Sequence, residues 1–382
     1  MVTAIPSDLP QQMAERLPAM LADLEALVRC ESPSADLAAV AESAGVVASV
    51  GTARLGAEPE RIVVDGCTHL RWRLGSGPAE VLVLGHHDTV WPIGTLLTHP
   101  FDVSDGVLRG PGCFDMKAGL VMAFHALASL DDASGVTVLM TGDEELGSPT
   151  SRSLIEAEAT GCRAALVLEA SADGGALKTE RKGVSRYDVR ILGKAAHSGL
   201  EPERGVNASV ELAHQVIAVN ALSDPATGTT VVPTAMSAGT TANTVPAAGT
   251  FAVDARVRTA EEQDRVDEAM RALRPVLPGA SLEVIGGPNR PPLQESASRD
   301  LFDRTARIAD RLGLAPLTPA AVGGGSDGNL TAGIGTPTLD GLGAVGGGAH
   351  ADHEHVLVAA LPERTALLAA LVHDLLDEAG RP

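Results

Sequence analysis

Five acidic or histidine positions spread over most of this chain share one setting, the end of an apolar run, and together they read as one binuclear metal site. In VLVLGHHDTV, Val81 to Leu84 form the continuous apolar run of a buried strand, and Gly85 breaks it ahead of the polar cluster. Side chains alternate along extended chain, so His86 and Asp88 share a face and His87 points away. A ligand imidazole needs its second nitrogen hydrogen-bonded, and the pair His86 and Asp88 offers that arrangement.

The Gly- and Pro-rich loop RGPGCFDMKAG delivers Asp115 ahead of an apolar helical stretch from Leu120 to Leu130. In VTVLMTGDEELGS, a strand from Val136 to Met140 ends in Asp143, Glu144 and Glu145, adjacent carboxylates that repel unless cations sit between them. ALVLEAS closes on Glu169, and in GGGAHADHEHV His350 follows three glycines. Any one of these is commonly a solvated turn residue. Five in one chain, each where ligands sit at strand carboxyl ends of open α/β sheets, point to a site.

These motifs resemble the co-catalytic zinc peptidases and deacylases, which include acetylornithine deacetylase, succinyl-diaminopimelate desuccinylase, aminoacylase and bacterial glutamate carboxypeptidase. The resemblance runs from GHHDTV to the carboxyl end and is strongest to the glutamate carboxypeptidase branch. It implies two zinc ions per subunit, with cobalt, manganese or nickel able to replace zinc at such donors. His86 and Glu169 would bind one ion, Glu145 and His350 the other, with Asp115 between them. Glu144 would be the catalytic base and Asp88 the partner of His86. The order of Glu144 and Glu145 comes from the resemblance, because spacing does not say which of two neighbours ligates and which reacts. His353, three residues on, competes with His350, which is preferred because it follows the glycines more closely. A cis peptide at Asp115–Met116 is also implied.

Such a pair of ions acidifies a water toward a pKa of about 7, and a base then activates it against an amide without a Ser or Cys nucleophile. A second block resembles the family's substrate-holding residues. GKAAHSGLEPERGVN carries His197, which would stabilise the tetrahedral oxygen across a homodimer interface; TANTVP carries Asn243; NRPPLQ carries Arg290, whose planar fork suits a free α-carboxylate. Arg256 also aligns but lies in an alternating strand where a solvated face explains it equally well, and it is left out.

The elements that must position these residues divide the chain. At 382 residues it exceeds one ordinary core. Before residue 170 the apolar runs are solid. Between Arg181 and Pro292, Tyr187, Val189 and Ile191 alternate with Arg186, Asp188 and Arg190, the mark of antiparallel strands with one wet face. Strands near 184 to 192, 229 to 237, 249 to 258 and 281 to 286 join helices over 207 to 222 and from Thr259, whose capping box with Glu262 opens a helix toward Leu273. The order β-α-β-β-α-β is ferredoxin-like. The expected architecture is α/β: a dizinc aminopeptidase-like catalytic domain over 1–183 and 292–382, with a dimerisation and lid domain inserted at 184–291. The outer part resumes with a helix near Leu301 to Leu312 and ends in an amphipathic stretch from Pro362 to Leu376.

Composition narrows the classes further. Aromatics make up 2% of residues, so the core is packed from Ala, Val and Leu. Four scattered cysteines without CxxC argue against a disulfide framework, and Cys113 beside Asp115 reads as a small buried filler. A net charge of −20 opposes binding to nucleic acid or an anionic membrane, so carboxylate recognition must be local. MVTAIPSDLPQQMAERL lacks a basic flank followed by an apolar core, and no 18-residue apolar run appears, which makes a cytoplasmic protein the expectation. VGGGSDGN and VGGGAH lack the spacing of nucleotide loops.

The leading expectation is a hydrolase that cleaves the amide to a C-terminal, acidic amino acid in an N-acyl or short peptide substrate. An aminoacylase or deacetylase selecting on the acyl group shares every metal residue. A catalytically idle dimeric binding protein is the rival of another class, and it gives no reason to keep Glu144 beside Glu145.

Overall fold

The computed structural model describes Pro6 and residues 8–379, so the first residues of the amino-terminal segment weighed above lie outside it. The chain divides into two compact units: Met1–Glu180, Glu295–Val322 and Ser326–Pro382 form the first, and Arg181–Gln294 with Gly323–Gly325 the second.

In the first unit a six-stranded sheet holds β1 (Glu60–Val64), β2 (Cys67–Arg73), β3 (Val81–His86), β4 (Val136–Thr141), β5 (Ala164–Val167) and the short strand Thr338–Leu339. Its order is β1-β2-β4-β3-β5 and then Thr338–Leu339. β3 runs parallel to both β4 and β5, with Val81 opposite Val136 and Ala164. These three strands are buried throughout, as their unbroken apolar runs require. In-register parallel pairing brings their carboxyl ends to one edge, which gathers His86, the turn after Thr141 and the segment after Val167.

The strand β3 continues through Gly85 to His86 rather than ending at Leu84. Gly85 serves packing there: a Cβ would stand 2.7 Å from Leu120 Cδ2. The helix expected over 120–130 spans Ala118–Leu127, every residue of it buried. Gly119 lets its first turn press against β5's continuation, since a Cβ would meet the Leu168 carbonyl oxygen at 2.2 Å, and Gly343 makes the same approach from another loop. Leu168 is thereby clamped on two sides, and with it the neighbouring Glu169.

The last helix, Ala360–Ala379, is not amphipathic as its sequence led us to expect. Helices Leu9–Arg29, Ala118–Leu127 and Glu295–Arg311 pack around it, and Ala366 to Val372 are all buried. With so few aromatics, Trp72 and Phe124 anchor the centre through an edge-on contact, ring centroids 5.4 Å apart. Truncating either to Ala costs about 3–5 kcal/mol. No described helix is long and apolar enough to cross a membrane.

The second unit carries a four-stranded antiparallel sheet of β6 (Gly183–Leu192), β7 (Thr230–Ala238), β8 (Ala248–Val257) and β9 (Ser281–Arg290), in the order β7-β8-β6-β9. That is the ferredoxin-like order, with helices Ala208–Asn220 and Ala260–Arg271 as the crossovers. Along β8 the burial alternates as the sequence does. Thr259 Oγ accepts from the Glu262 amide at 3.3 Å, making the expected cap. Beyond the Leu192 end of β6, Ala196–His197 pairs with Thr244–Val245 in a short ribbon.

Candidate active site

At the carboxyl edge of the first sheet, five donors converge. His86 Nε2 stands 3.3 Å from Asp115 Oδ1 and 3.7 Å from Glu169 Oε1. His350 Nε2 stands 3.3 Å from Asp115 Oδ2 and 3.0 Å from Glu145 Oε1. Asp115 thus presents one oxygen to each histidine, and the donors fall into two groups that share it. Glu144 joins the first group, its carboxylate lying within 4.8 Å of the His86 and Glu169 ligand atoms.

The protonation pattern suits cations. His86 Nδ1 lies 3.0 Å from the Asp88 carbonyl oxygen, which only accepts, so Nδ1 carries a proton and Nε2 faces the pocket, where it can hold a second proton or a cation. His86 Nε2 and Asp115 Oδ1 are buried, and neither completes a hydrogen bond. Two such facing buried atoms are costly unless positive charge lies between them. The acids draw that charge onto the imidazoles. Burial opposes a charged His86, but Asp115 and Asp88 hold its pKa well above the usual value. Asp115 and Glu145 lift His350 to about 10. Asp115 itself is pushed far down: burial would raise it, and His350 and His86 outweigh burial. Paired imidazole and carboxylate donors around a shared carboxylate fit two divalent ions of the zinc type.

Asp88 does more than the sequence implied. Its carboxylate is 3.4 Å from His86 Nδ1, farther than its carbonyl. Its Oδ1 accepts from the Glu144 amide at 3.3 Å, and its Oδ2 from the Glu145 amide at 3.2 Å and from Ser34 Oγ at 2.6 Å. One buried side chain therefore sets the turn that presents both glutamates. Burial works against its charge, yet His86 and Ser34 hold its carboxyl below the ordinary range. Ser34 carries no signal in the sequence.

Asp143 corrects the reading of a three-acid crowd. It turns away from the pocket and accepts from Thr150 N, Thr150 Oγ1, Ser151 N and Ser151 Oγ. Cys67, His69 and Asp143 also cluster, but His69 and Asp143 already have protein hydrogen-bond partners. His69 Nδ1 accepts from Gly142 N, which leaves its Nε2–H to donate to Thr150 Oγ1.

The Asp115–Met116 peptide is cis. His350 sits at φ 62°, a left-handed conformation that favours glycine, so backbone strain aims its ring at Asp115 and Glu145. His353 makes no ion pair with these acids; its carbonyl oxygen lies 2.9 Å from His355 Nδ1. His87 points away and is held neutral by burial, its pKa lowered to about 4. Cys113 is fully buried.

The residues expected to hold substrate all lie in the second unit. His197 and Asn243 meet in the short ribbon, where His197 pairs with Thr244 and Ser198 N donates to the Asn243 carbonyl. Both are exposed. Arg290, at the end of β9, is 4% exposed rather than a rim residue, and it pairs with Val184 at the far end of β6. Arg256 forms a two-pronged pair with Asp254 at 2.7 and 3.0 Å, which gives it a structural occupation.

An α/β unit with paired carboxylate and histidine donors at its strand ends, interrupted by a ferredoxin-like unit, defines a class of two-metal hydrolases. The chain belongs to the peptidase family M20/M25/M40, which matches residues 82–374. It is 32% identical over 379 residues to carboxypeptidase G2 of Pseudomonas sp. (strain RS-16), covering 96% of this chain and 91% of that one. It is also 32% identical over 246 residues to succinyl-diaminopimelate desuccinylase 1 of Alteromonas mediterranea, covering 58% of this chain and 62% of the other. Among solved structures, aminopeptidase PepT from Bacillus cereus superposes with a TM-score of 0.71 at 21% identity, over 95% of this chain and 98% of that one. The M20 family metallo-carboxypeptidase Sso-CP2 from Sulfolobus solfataricus gives 0.70 at 15%, over 94% and 98%. The protein is a metal-dependent hydrolase.

Proposed function

We propose that this enzyme binds two zinc ions and releases a C-terminal amino acid bearing a free carboxylate from an N-acyl or short peptide donor. The observation that carries the reading is the division of Asp115 between His86 and His350, with Glu169 completing one donor group and Glu145 the other. Zinc bound there supplies Lewis acidity and a water acidified toward a pKa of about 7.

The protein's own part is positional and protolytic. Glu144 takes a proton from the attacking water and passes it to the amine nitrogen as the amide C–N bond breaks. Asp88 holds the amides of Glu144 and Glu145, so base and ligand keep a constant offset. Arg290 grips the substrate's α-carboxylate through two parallel hydrogen bonds, and Asn243, in the ribbon that carries His197, orients the substrate from the same side as His197.

His197 stabilises the developing oxyanion and comes from the second subunit of a homodimer. The layout of the second unit supports this. Arg290 pairs near Val184, while the ribbon bearing His197 extends beyond Leu192 at the other end of β6. Eight residues of strand separate those ends, about 26 Å. That separation favours delivery of the two side chains to one small substrate by two chains rather than by one.

The similarity to a carboxypeptidase over nearly the whole length favours selection on the C-terminal residue, and the motifs' resemblance to the glutamate carboxypeptidase branch extends this to an acidic residue. A panel of N-acyl amino acids and dipeptides, varied on both sides of the amide and assayed by mass spectrometry with zinc-loaded and chelated protein, tests it. Zinc-dependent release that tracks the C-terminal residue is expected. Release that tracks the acyl group instead makes the enzyme an aminoacylase or deacetylase, and overturns the proposal.

A further inference from the structure

Four residues after His350, the sequence places an unremarkable acid between two histidines. In the structure Glu354 is 4% exposed, and its carboxylate accepts four hydrogen bonds. Oε1 takes the amides of Phe114 and Asp115 at 2.9 and 3.0 Å. Oε2 takes the Gly112 amide at 2.9 Å and Trp91 Nε1 at 2.7 Å. Three amides of the short loop that carries Asp115 thus converge on one side chain, contributed by the segment that carries His350.

We infer that Glu354 is a positioning residue that locks Asp115 and His350 to each other, so that Asp115 keeps one oxygen on each side of the metal pair. The inference rests on the two-cation reading above. Asp115 enters from a loop of glycines and a proline, and its carboxylate must serve two histidines at once. A loop free to shift by an ångström would favour one histidine and abandon the other. Glu354 removes that freedom with three backbone bonds, and both of its oxygens are needed as acceptors to satisfy the four donors. The His350 side depends on this lock more than the His86 side. His86 ends a buried strand and is braced by Asp88, whereas His350 is half-exposed on a turn.

The Glu354→Gln variant tests it, since the amide offers one acceptor oxygen in the same volume. Zinc and cobalt(II) are titrated into purified wild type and variant against a competing chelator, and the visible spectrum of the cobalt forms is recorded. The expected result is one cation bound as in wild type and one weakened 10–100-fold, with an altered cobalt band. Turnover on the amide falls through kcat, with KM within about twofold. Trp91→Phe removes only the donor outside the loop and is expected to keep both affinities. Should Glu354→Gln fail to fold, Glu354→Asp keeps the charge but shortens the reach, and the same selective loss at one cation is expected.

Two tight cations and an unchanged cobalt spectrum in Glu354→Gln, or in Glu354→Asp where that is the variant that folds, overturn the inference. So does a loss in Trp91→Phe equal to that in the glutamate variant. Wild type that binds fewer than two cations removes the two-metal reading instead, and the inference with it. A variant with normal metal binding alongside a two-metal wild type sinks only the inference.

Discussion

Asp115 in the first unit and Glu262 in the second are both acids held down in pKa by neighbours, and the neighbours differ. Glu262 has a dedicated arginine: Arg265 Nε reaches Oε1 and Nη2 reaches Oε2, each at 2.8 Å, and Thr229 and Thr227 add hydroxyls at 2.6 and 3.2 Å. Asp115 has two imidazoles, each also facing another acid. An arginine stays charged at any accessible pH, so Glu262 is finished as it stands. An imidazole is charged only while it holds a proton that a metal ion displaces, so the Asp115 cluster has two chemical states. The permanent pairing belongs to a scaffold and the exchangeable one to a reactive centre.

Removing the base should produce the largest effect. Glu144→Gln is expected to lower kcat by about 10²–10⁴-fold while both cations remain bound, read by turnover and metal analysis on the same sample. Near-normal turnover with two cations present would sink the role given to Glu144. Metal itself should then separate the two units. Both tryptophans, Trp72 and Trp91, lie in the first unit, and Tyr187, the chain's sole tyrosine, is buried in the second. Zinc at about a thousand times its dissociation constant is expected to stabilise the tryptophan-reported transition by about 4 kcal/mol. The tyrosine-reported transition should move little. Equal shifts of both signals would mean the two units unfold as one, and the contrast between them would dissolve.

How much of this was legible depends on where each residue's partners lie in the chain. His86 could be read because a strand's alternation dictates which of three consecutive polar residues shares its face. The ferredoxin-like unit could be read because the one-wet-face pattern of Tyr187, Val189 and Ile191 is local. The last helix was misread as amphipathic, since three other helices enclose it and no local pattern reports how many neighbours a helix will meet. That Asp143 parts from Glu144 and Glu145 was not legible, because the hydrogen bonds it accepts from Thr150 and Ser151 are a property of the folded turn. Ser34 and Glu354 act on groups 54 and 239–242 residues away in sequence, and nothing beside them in the chain announces it.

The trans role of His197 predicts a complementation. His197→Ala alone is expected to lose about 10²–10³-fold in kcat, the usual cost of an oxyanion donor. Mixed dimers of His197→Ala with Glu144→Gln subunits should recover activity, because one of their two sites regains an intact Glu144 and an intact partner His197. No recovery after subunit exchange confirmed by mass spectrometry would place His197 in its own chain's site, or outside the mechanism.

The smallest effect belongs to Glu262, and its sign distinguishes a finished ion pair from an exchangeable one. Arg265, then Thr229, lower the Glu262 pKa to about 2, below the roughly 4.3 of an unfolded chain. A depressed carboxyl contributes stability that is fully present above the unfolded value and disappears as pH falls through the folded one. Arg265 is 41% exposed, so solvent screening reduces the contribution to about 1 kcal/mol. Glu262→Gln should therefore destabilise the tyrosine-reported transition by that amount at pH 7, and the gap to wild type should close between about pH 4.3 and pH 2. Zinc should leave the gap unchanged, because both partners of this pair are permanent. A gap that widened in acid would reverse the sign of the linkage, and one that responded to zinc would mean that the second unit's charges also answer to the metal centre.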